Sequence, residues 1–400
     1  MKKILTAFFV LSVAVAGVAA ALMPVRMPFY KDKAAQALAS ANDKAGISAV
    51  AAKSAYLIDE SSGTVLYSQN ETAHFPIASM CKIMALNIIF DYVESGEISL
   101  DCEIIVSETA MKMGGSQVFL QGGDFYKAGE LIKSVIVASA NDATVALAER
   151  IAGEEDAFVA LMNQKAKELG MNDTNFSNST GLPKAGQYSC AKDVAIMTRE
   201  LLKHGDYYKY STIWMDNIRH KEGRITEISN TNKLVRFYQG CDGGKTGYTS
   251  EAKHCVSATA VRDGLRLVSV IIGADDSKVR FSEASRLLNH GFANYTSKQI
   301  VFKDKPIDLK VRLRGGAEKN FEVAPSSDYK ILSGKTEKKQ HAVEYNLSDS
   351  IKAPVKKGDK AGTMSVIIDN KIVTEIDLIA CKDVDKISYG GVIADIIEAW

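Results

Sequence analysis

The segment Pro76-Ile77-Ala78-Ser79-Met80-Cys81-Lys82 decides how the rest of the chain is interpreted. Ser79 and Lys82 are three positions apart, so at the start of a helix they lie on one face with the amine within reach of the hydroxyl. The run from Ile83 to Val93 is apolar on nearly every side and predicts a buried helix that ends near Gly96. The pattern indicates a serine nucleophile with a lysine base. Alone it is weak, because Ser-x-x-Lys occurs three more times in the chain.

Length and charge restrict the class of protein. The 400 residues, 46% of them hydrophobic, suffice for one large domain and a smaller one. The 49 basic and 48 acidic residues nearly cancel. We therefore expect no nucleic-acid partner and no acidic polymer as ligand.

The N-terminus has the three parts of a secretory signal. Met1-Lys2-Lys3 is basic, Ile4 to Val18 is apolar, and Ala19 to Ala21 supplies small residues for cleavage. The apolar run is short for a stable membrane span, which favours a cleaved signal peptide over residues 1–21. We therefore expect an exported protein at the cell wall or the outer face of the cytoplasmic membrane, with residues 22–48 as a linker or peripheral segment.

The six cysteines are scattered and show neither C-x-x-C nor Cys/His ligand spacing. We expect free, mostly buried thiols, no metal site and no cofactor. Cys241 and Cys255, which we expect to flank a hairpin, are the one pair that a disulfide could join. Cys81 is two positions after Ser79 on the helix, so it should point away from the nucleophile and pack in the core.

Periodicity predicts an α+β catalytic domain over residues 49–296, with a sheet assembled from segments at both ends of the domain. A β-hairpin precedes Ser79, a helical tract follows it, and two strands joined by Asp263-Gly264 come before a last helix. The predicted strands are Ser54 to Asp59, Thr64 to Ser68, Gly240 to Thr249, Cys255 to Val261 and Leu265 to Ile272. The predicted helices are Glu130 to Ala138, Asp142 to Ala152, Ala157 to Leu169, Ala191 to Lys203 and Lys278 to Tyr295.

Residues 297–387 change to short alternating strands and predict a small all-β domain without a catalytic cluster. Its clearest strands are 308–313, 330–332, 365–368 and 371–373. The tail, residues 388–400, places Val392, Ile393, Ile396, Ile397 and Trp400 on one helical face. This face predicts weak peripheral contact with a membrane surface, with docking on the protein's own surface as the alternative.

Two further motifs strengthen the case for Ser79. Ser139-Ala140-Asn141 lies between two predicted helices, and Lys245-Thr246-Gly247 lies on a predicted strand. The order Ser-x-x-Lys, Ser-x-Asn, Lys-Thr-Gly is typical of penicillin-binding proteins and class A β-lactamases. The six histidines form no evident triad, so Lys82 is the nearest base for Ser79.

Each motif residue can be given a chemical role. Lys82 can act as a base near neutral pH only if its pKa falls from about 10.4 toward 7, which burial and the charge of Lys245 would favour. Ser139 could relay a proton to the leaving amine, while Asn141 could hold Lys82 and a substrate amide.

The strand motif supplies the binding groups. Lys245 and Thr246 offer a charge and a hydroxyl to a substrate carboxylate, and Gly247 permits a substrate backbone to lie against the strand. Backbone N–H groups of Ser79 and Tyr248 would form the oxyanion hole.

The chain resembles the serine D-alanyl-D-alanine carboxypeptidases among the low-molecular-mass penicillin-binding proteins. The resemblance runs from about Ser54 to Tyr295 and includes five ordered motifs, which are Ala78 to Lys82, Gly114-Gly115-Ser116, Ala138 to Ala143, Asn178 to Leu182 and Asp242 to Thr249. Through Ala353 to Gly358 it extends into the β domain. It implies removal of the terminal D-alanine from peptidoglycan stem pentapeptides through an acyl-enzyme on Ser79, and acylation of the same serine by penicillins. Cys81, Gln187, Cys190 and Lys253 depart from the usual family residues, which leaves reaction rate and β-lactam affinity open.

Three other functions compete with this interpretation. A DD-endopeptidase acting on crosslinked peptidoglycan is chemically the nearest. A β-lactamase needs a glutamate that holds the deacylating water, but Glu154 and Glu155 are expected at a helix start for capping reasons. A chain that only binds cell-wall peptides would be expected to lack Ser79, Lys82 or Lys245.

Overall fold

The computed structural model describes residues 47–337 and 339–398. The expected signal peptide, residues 22–46 of the expected linker and Trp400 lie outside the described residues. The predicted fold class is confirmed, because helices and an antiparallel sheet form the first domain and strands form the second.

The strands and helices follow one another along the chain. The strands of the first domain are β1 (Ser54–Asp59), β2 (Val65–Gln69), β3 (Glu103–Ile105), β4 (Phe125–Lys127), β5 (Met215–Arg219), β6 (Ile225–Ser229), β7 (Cys241–Thr249), β8 (Lys253–Arg262) and β9 (Leu265–Ala274). Its helices are α1 (Lys82–Glu94), α2 (Glu108–Met111), α3 (Ala128–Val137), α4 (Asn141–Ala152), α5 (Glu155–Glu168), α6 (Ala191–Leu201), α7 (Tyr208–Ser211), α8 (Leu234–Phe237) and α9 (Ser277–Asn294). The second domain contains β10 (Tyr295–Val301), β11 (Lys310–Arg314), β12 (Asn320–Pro325), β13 (Tyr329–Gly334), β14 (His341–Leu347), β15 (Ile351–Lys352), β16 (Lys360–Ile368) and β17 (Lys371–Ala380), and α10 (Tyr389–Glu398) follows.

The central sheet has the order β2-β1-β9-β8-β7 and is antiparallel throughout. The strand after the signal region therefore pairs with a strand more than 200 residues later, as the sequence predicted: Ser54 is opposite Ile272. Asp263 and Gly264 both have positive φ, 49° and 79°, which suits the tight β8–β9 hairpin. The order leaves β7 at an edge, where its free side faces the turn that carries Ser79.

Two apolar cores lie on opposite faces of this sheet. On one face α1 is surrounded by other helices, and its residues from Lys82 to Phe90 are all buried, which explains why it lacks a polar face. On the other face α9 packs against the strands through Ala284, Leu287 and Leu288. Ser79, the predicted nucleophile, thus lies directly before the N-terminus of a helix that is packed on every side.

The β domain has its own core and also contacts the first domain. Its main sheet has the order β14-β16-β17-β12-β11-β15, and β10 pairs separately with β13. Leu332 of β13 packs into the core under α9, and Lys330 donates to the carbonyl of Gly264. β10 begins at the residue after α9 ends, so the two domains are joined without a spacer.

The β5–β6 hairpin is the main element that the sequence did not predict. Only Ile218 and Ile228 of its strands are buried, so its alternation of apolar and polar residues is too weak to recognise. The strand prediction 371–373 was also too short, because β17 continues to Ala380.

The possible pairing of Cys241 with Cys255 is wrong. Cys241 is opposite Ala260, and Cys255 is opposite Gly247, so the two thiols lie far apart along the β7–β8 ladder. All six cysteines are free.

The tail forms a helix, α10, with an exposed apolar surface. Tyr389, Val392, Ile393 and Ile397 are all exposed. Within the described residues, no helix combines the length and the apolar character needed to cross a membrane.

Candidate active site

Ser79 lies on a 3-10 turn, Ala78–Cys81, that leads directly into α1. The sequence predicted an α-helical start, so the local geometry is tighter than expected. Ala78 has φ 48°, a left-handed conformation that costs a non-glycine residue about 1–3 kcal/mol. The turn is held in this strained form by its neighbours and presents a partly exposed hydroxyl above a buried helix.

Lys82 is placed to act on Ser79. Its side chain is fully buried, and Nζ donates to Ser79 Oγ at 3.0 Å and to the carbonyl oxygen of Thr180 at 2.5 Å. Burial lowers the pKa of Lys82 from 10.5 to about 8. The predicted base is therefore brought into contact with the predicted nucleophile, and its lowered pKa makes a minor fraction of the amine neutral near physiological pH.

Lys245 and Ser139 form a second contact of the same kind. Lys245 Nζ donates to Ser139 Oγ at 2.7 Å, and only 2% of the lysine is exposed. Burial and the nearby charge of Lys82 both lower the pKa of Lys245. Ser139 adopts φ 61°, so this hydroxyl, like Ser79, is carried by strained backbone. We call Ser79, Lys82, Ser139 and Lys245 the reaction centre.

Asn141 does not hold Lys82, so that expectation is wrong. Its Nδ2 donates to the carbonyl of Gly114 at 2.6 Å, and its buried Oδ1 has no hydrogen-bond partner among the described residues. Thr180, 98 residues from Lys82 along the chain, supplies the acceptor instead.

Two glycines allow other segments to approach the Ser79 turn. A Cβ on Gly181 would lie 2.1 Å from the carbonyl oxygen of Ala78 and 2.8 Å from Ser79 N. A Cβ on Gly247 would lie 2.5 Å from the carbonyl oxygen of Ile77. We expected glycine at position 247 to make room for the substrate. The structure gives a second reason, because the absence of a side chain on Gly247 lets β7 approach the turn that carries Ser79.

The remaining residues of β7 divide into buried and exposed positions. Thr246 is buried, whereas Tyr248 is 59% exposed and stacks on His254. Arg280 of α9 lies beneath the strand, where its guanidinium donates to the carbonyls of Gly247 and Cys255. Burial lowers the pKa of Arg280 to about 10, and its Nε has no partner among the described residues. Arg280 was not predicted from the sequence, because an arginine within an amphipathic helix has the pattern of a surface residue.

The loop that carries Thr180 is fixed by two residues near the site. Glu155 Oε1 accepts from the N–H and the hydroxyl of Ser179, at 2.9 and 2.6 Å. Cys81 Sγ donates to the Ser179 carbonyl at 3.4 Å. The presence of an acidic residue at position 155 is therefore not explained by helix capping alone, because Glu155 also fixes this loop. Cys81 is buried as predicted, and burial raises its pKa to about 12, which excludes it as a competing nucleophile.

Asp142 fixes the opposite wall of the site. It is fully buried, and its carboxylate accepts the N–H groups of Val118 and Leu120, both at 3.1 Å. Asn141 N donates to the carbonyl of Ser116 at 2.7 Å. The Gly114-Gly115-Ser116 loop is thus attached to the Ser139 motif, which accounts for the presence of both motifs in one site.

A pocket continues from the nucleophile turn along the far end of β7. Its volume is about 350 Å³, and we call it the side pocket. It is lined by Pro76, Ala78, residues 181–187, Thr249 and Glu251.

Among the described residues, one cluster consists of side chains that could bind a metal ion, but the contacts of this cluster are those of the N-terminal cap of a helix. Asp173, Cys190 and Asp193 bring their ligand atoms within 4.8 Å of one another. Asp193 Oδ2 accepts from Asp173 N and Thr174 Oγ1, and Cys190 caps α6. Burial raises the pKa of Cys190 to about 12, so its thiol stays protonated and is a poor metal ligand.

Comparisons with known proteins cover both domains. A family model described as D-alanyl-D-alanine carboxypeptidase matches residues 38–276, and a model of the penicillin-binding protein 5 C-terminal domain matches residues 295–386. The chain is 38% identical over 339 residues to D-alanyl-D-alanine carboxypeptidase DacF of Bacillus subtilis, covering 84% of this chain and 87% of that protein. It is 31% identical over 361 residues to D-alanyl-D-alanine carboxypeptidase DacC of Escherichia coli, covering 87% and 88%. The crystal structure of penicillin-binding protein 5 from Haemophilus influenzae matches with a TM-score of 0.65 at 28% identity, covering 85% of this chain and 99% of that one.

Proposed function

The chain belongs to the D-alanyl-D-alanine carboxypeptidase family of serine peptidases, and we propose that its catalytic cycle runs through an acyl-enzyme on Ser79. It is a serine-type hydrolase that removes the terminal D-alanine from peptidoglycan stem peptides. Two contacts, Lys82–Ser79 and Lys245–Ser139, support the assignment of these residues. Each places an amine with a lowered pKa beside a serine hydroxyl.

The reaction begins with proton transfer from Ser79 to neutral Lys82. Ser79 Oγ attacks the carbonyl carbon of the penultimate D-alanine, and the Oγ–C bond forms as the peptide C–N bond breaks. The proton that Lys82 took from Ser79 is passed on to the nitrogen of the leaving D-alanine through Ser139, which Lys245 holds, so Lys82 is neutral again. Water then attacks the ester, Lys82 accepts its proton, and Ser79 is released with the shortened peptide. Penicillin enters the same cycle when its β-lactam carbonyl acylates Ser79.

The binding groups follow from the charge and position of the strand residues. Lys245 and Thr246 receive the terminal carboxylate, and Arg280 adds a positive charge beneath the neighbouring Gly247. Backbone N–H groups of Ser79 and Tyr248 stabilise the oxyanion, a role worth about 2.7–4 kcal/mol per donor. Asn141 Oδ1, buried and unpartnered among the described residues, accepts the N–H of the substrate.

The place of action follows from the substrate. Peptidoglycan lies outside the cytoplasmic membrane, so the enzyme works in the cell wall or at the outer face of the cytoplasmic membrane, with stem peptides and β-lactams as ligands and no nucleic acid. The exposed apolar residues of α10 suit weak contact with a membrane surface. If removal of residues 391–400 from the mature protein leaves its partitioning onto lipid vesicles unchanged, the membrane role of the tail is refuted.

Fluorescent penicillin and defined peptides test the assignment together. The purified protein should be labelled on Ser79 and should release D-alanine from a stem pentapeptide, and Ser79→Ala should lose both activities. Faster cleavage of a crosslinked peptide dimer would indicate the endopeptidase alternative, and rapid turnover of penicillin would indicate a β-lactamase. A label on any other residue would overturn the role of Ser79.

A further inference from the structure

The side pocket lies where the substrate must continue beyond the reacting bond. On β7, Lys245 is near Ser139, Gly247 is beside the Ser79 turn, and Thr249 lines the side pocket. A peptide whose carboxylate meets Lys245 and whose carbonyl meets Ser79 therefore runs past Tyr248 toward Thr249, antiparallel to the free edge of β7. At about 3.4 Å per residue, the residue before the two D-alanines reaches the side pocket.

The side pocket has one acidic side chain available for a ligand. Glu251 lines it, is exposed, and has no ion-pair partner among the described residues. The basic side chain of the pocket, Lys184, lies 3.9 Å from Asp156 on α5, so its charge is partly compensated. Glu251 is therefore the pocket charge that has no ion-pair partner among the described residues, and an incoming cation can pair with it.

We propose that Glu251 makes the side pocket selective for a stem peptide whose third residue carries a free side-chain amine. This inference rests on the proposed function and specifies its substrate. The Glu251 carboxylate forms a charge-assisted hydrogen bond with the ammonium group, while Pro76 and Leu182 contact the aliphatic part of the side chain. A peptide whose amine is already acylated lacks that charge and loses only this contact.

Two synthetic peptides that differ by one acetyl group test the proposal. Nα-acetyl-L-Lys-D-Ala-D-Ala carries the free amine, and Nα,Nε-diacetyl-L-Lys-D-Ala-D-Ala does not. Because an exposed ion pair contributes little, Glu251→Gln should lower kcat/KM for the first peptide about threefold to fivefold. For the second peptide it should change kcat/KM by less than about 1.5-fold, and higher salt should reduce the difference.

The control is Glu227→Gln, because Glu227 is an exposed acid of β6 that does not line the side pocket. It should leave both peptides unaffected. Equal losses for both peptides in Glu251→Gln, or no loss for either, would overturn the assignment of Glu251. Absence of D-alanine release from both peptides by the unmodified enzyme would overturn the proposed function itself, which separates the two failures.

Discussion

The reaction centre and the side pocket lie along the same edge strand, yet they use lysine in opposite ways. In the reaction centre Lys82 is 0% exposed and Lys245 is 2% exposed, and within the described part of the chain both amines donate to hydroxyl and carbonyl oxygens rather than to a carboxylate. In the side pocket Lys184 is exposed and lies near Asp156. A lysine side chain thus has a lowered pKa where water is excluded and is an ordinary surface cation where it is not.

Burial and exposure therefore assign different tasks to the two parts of the site. Burial without a counter-ion destabilises the ammonium form and lowers the lysine pKa, which the proposed role of Lys82 as a base requires. Exposure keeps charges fully ionised but screened, so each contributes only a modest preference among substrates. Changes in the reaction centre should therefore alter rates by orders of magnitude, and changes in the side pocket by small factors.

The largest effect should come from removing the buried amine. Lys82→Met keeps most of the aliphatic volume and deletes Nζ, so acylation by penicillin should slow about 10²–10⁴-fold because Ser79 loses its base. Stopped-flow acylation rates measure this, and a melting curve checks the fold. Acylation within tenfold of the unmodified enzyme would show that the burial of Lys82 is structural rather than catalytic.

The next effect should come from the loop that touches the Ser79 turn. Gly181→Ala places a Cβ 2.1 Å from the Ala78 oxygen, so the nucleophile must move, and acylation should fall about 100-fold. Gly186→Ala is the matched control, since its φ of 80° resembles the 84° of Gly181 but its nearest neighbour is 3.6 Å away. Equal losses of rate in the two variants would mean that backbone strain, rather than the clash with the nucleophile turn, is responsible.

A change of pH should alter the acylation rate by a smaller factor. Burial lowers the Lys82 pKa from 10.5 to about 8, so the neutral base is present above that pH and is lost as the pH falls below it. Acylation should therefore rise about tenfold between pH 6 and pH 7 and level off above about pH 9. The apparent pKa belongs to the Lys82 and Lys245 pair, because the two amines interact. A rate that stays constant from pH 6 to pH 9 would contradict a lysine base.

The smallest effect should come from the side pocket. Lys184→Gln removes an exposed charge that the β-lactam ring does not contact in the proposed mechanism, so penicillin acylation should change less than about twofold. Its pH profile should superimpose on that of the unmodified enzyme. A tenfold change in rate would mean that the side pocket is electrostatically coupled to the reaction centre. It would refute the claim that exposed charges in this pocket have only small effects on the reaction rate.

Local sequence patterns correctly predicted the strands and helices whose own residues show a clear pattern of burial. The β1 bounds Ser54 to Asp59 agree with the prediction, and α3, α4, α5, α6 and α9 were each placed to within about two residues at each end. The β5–β6 hairpin was missed because its strands are largely exposed, and periodicity reports burial rather than pairing. The Cys241–Cys255 pairing was wrong because strand register, which separates the two thiols, is invisible in cysteine spacing.

The amino-acid sequence alone was enough to predict a serine with a lysine base one helical turn away, two further motifs in order, and two domains. Tertiary structure alone decided how those groups work. The acceptor for Lys82 is Thr180 rather than Asn141, the charge beneath β7 is Arg280, and Gly181 meets the nucleophile turn. Motif spacing is set within one element, whereas these contacts join segments up to about 100 residues apart. Only the packing of α1 between the sheet and the surrounding helices brings such segments together, and the same packing excludes water and lowers the lysine pKa.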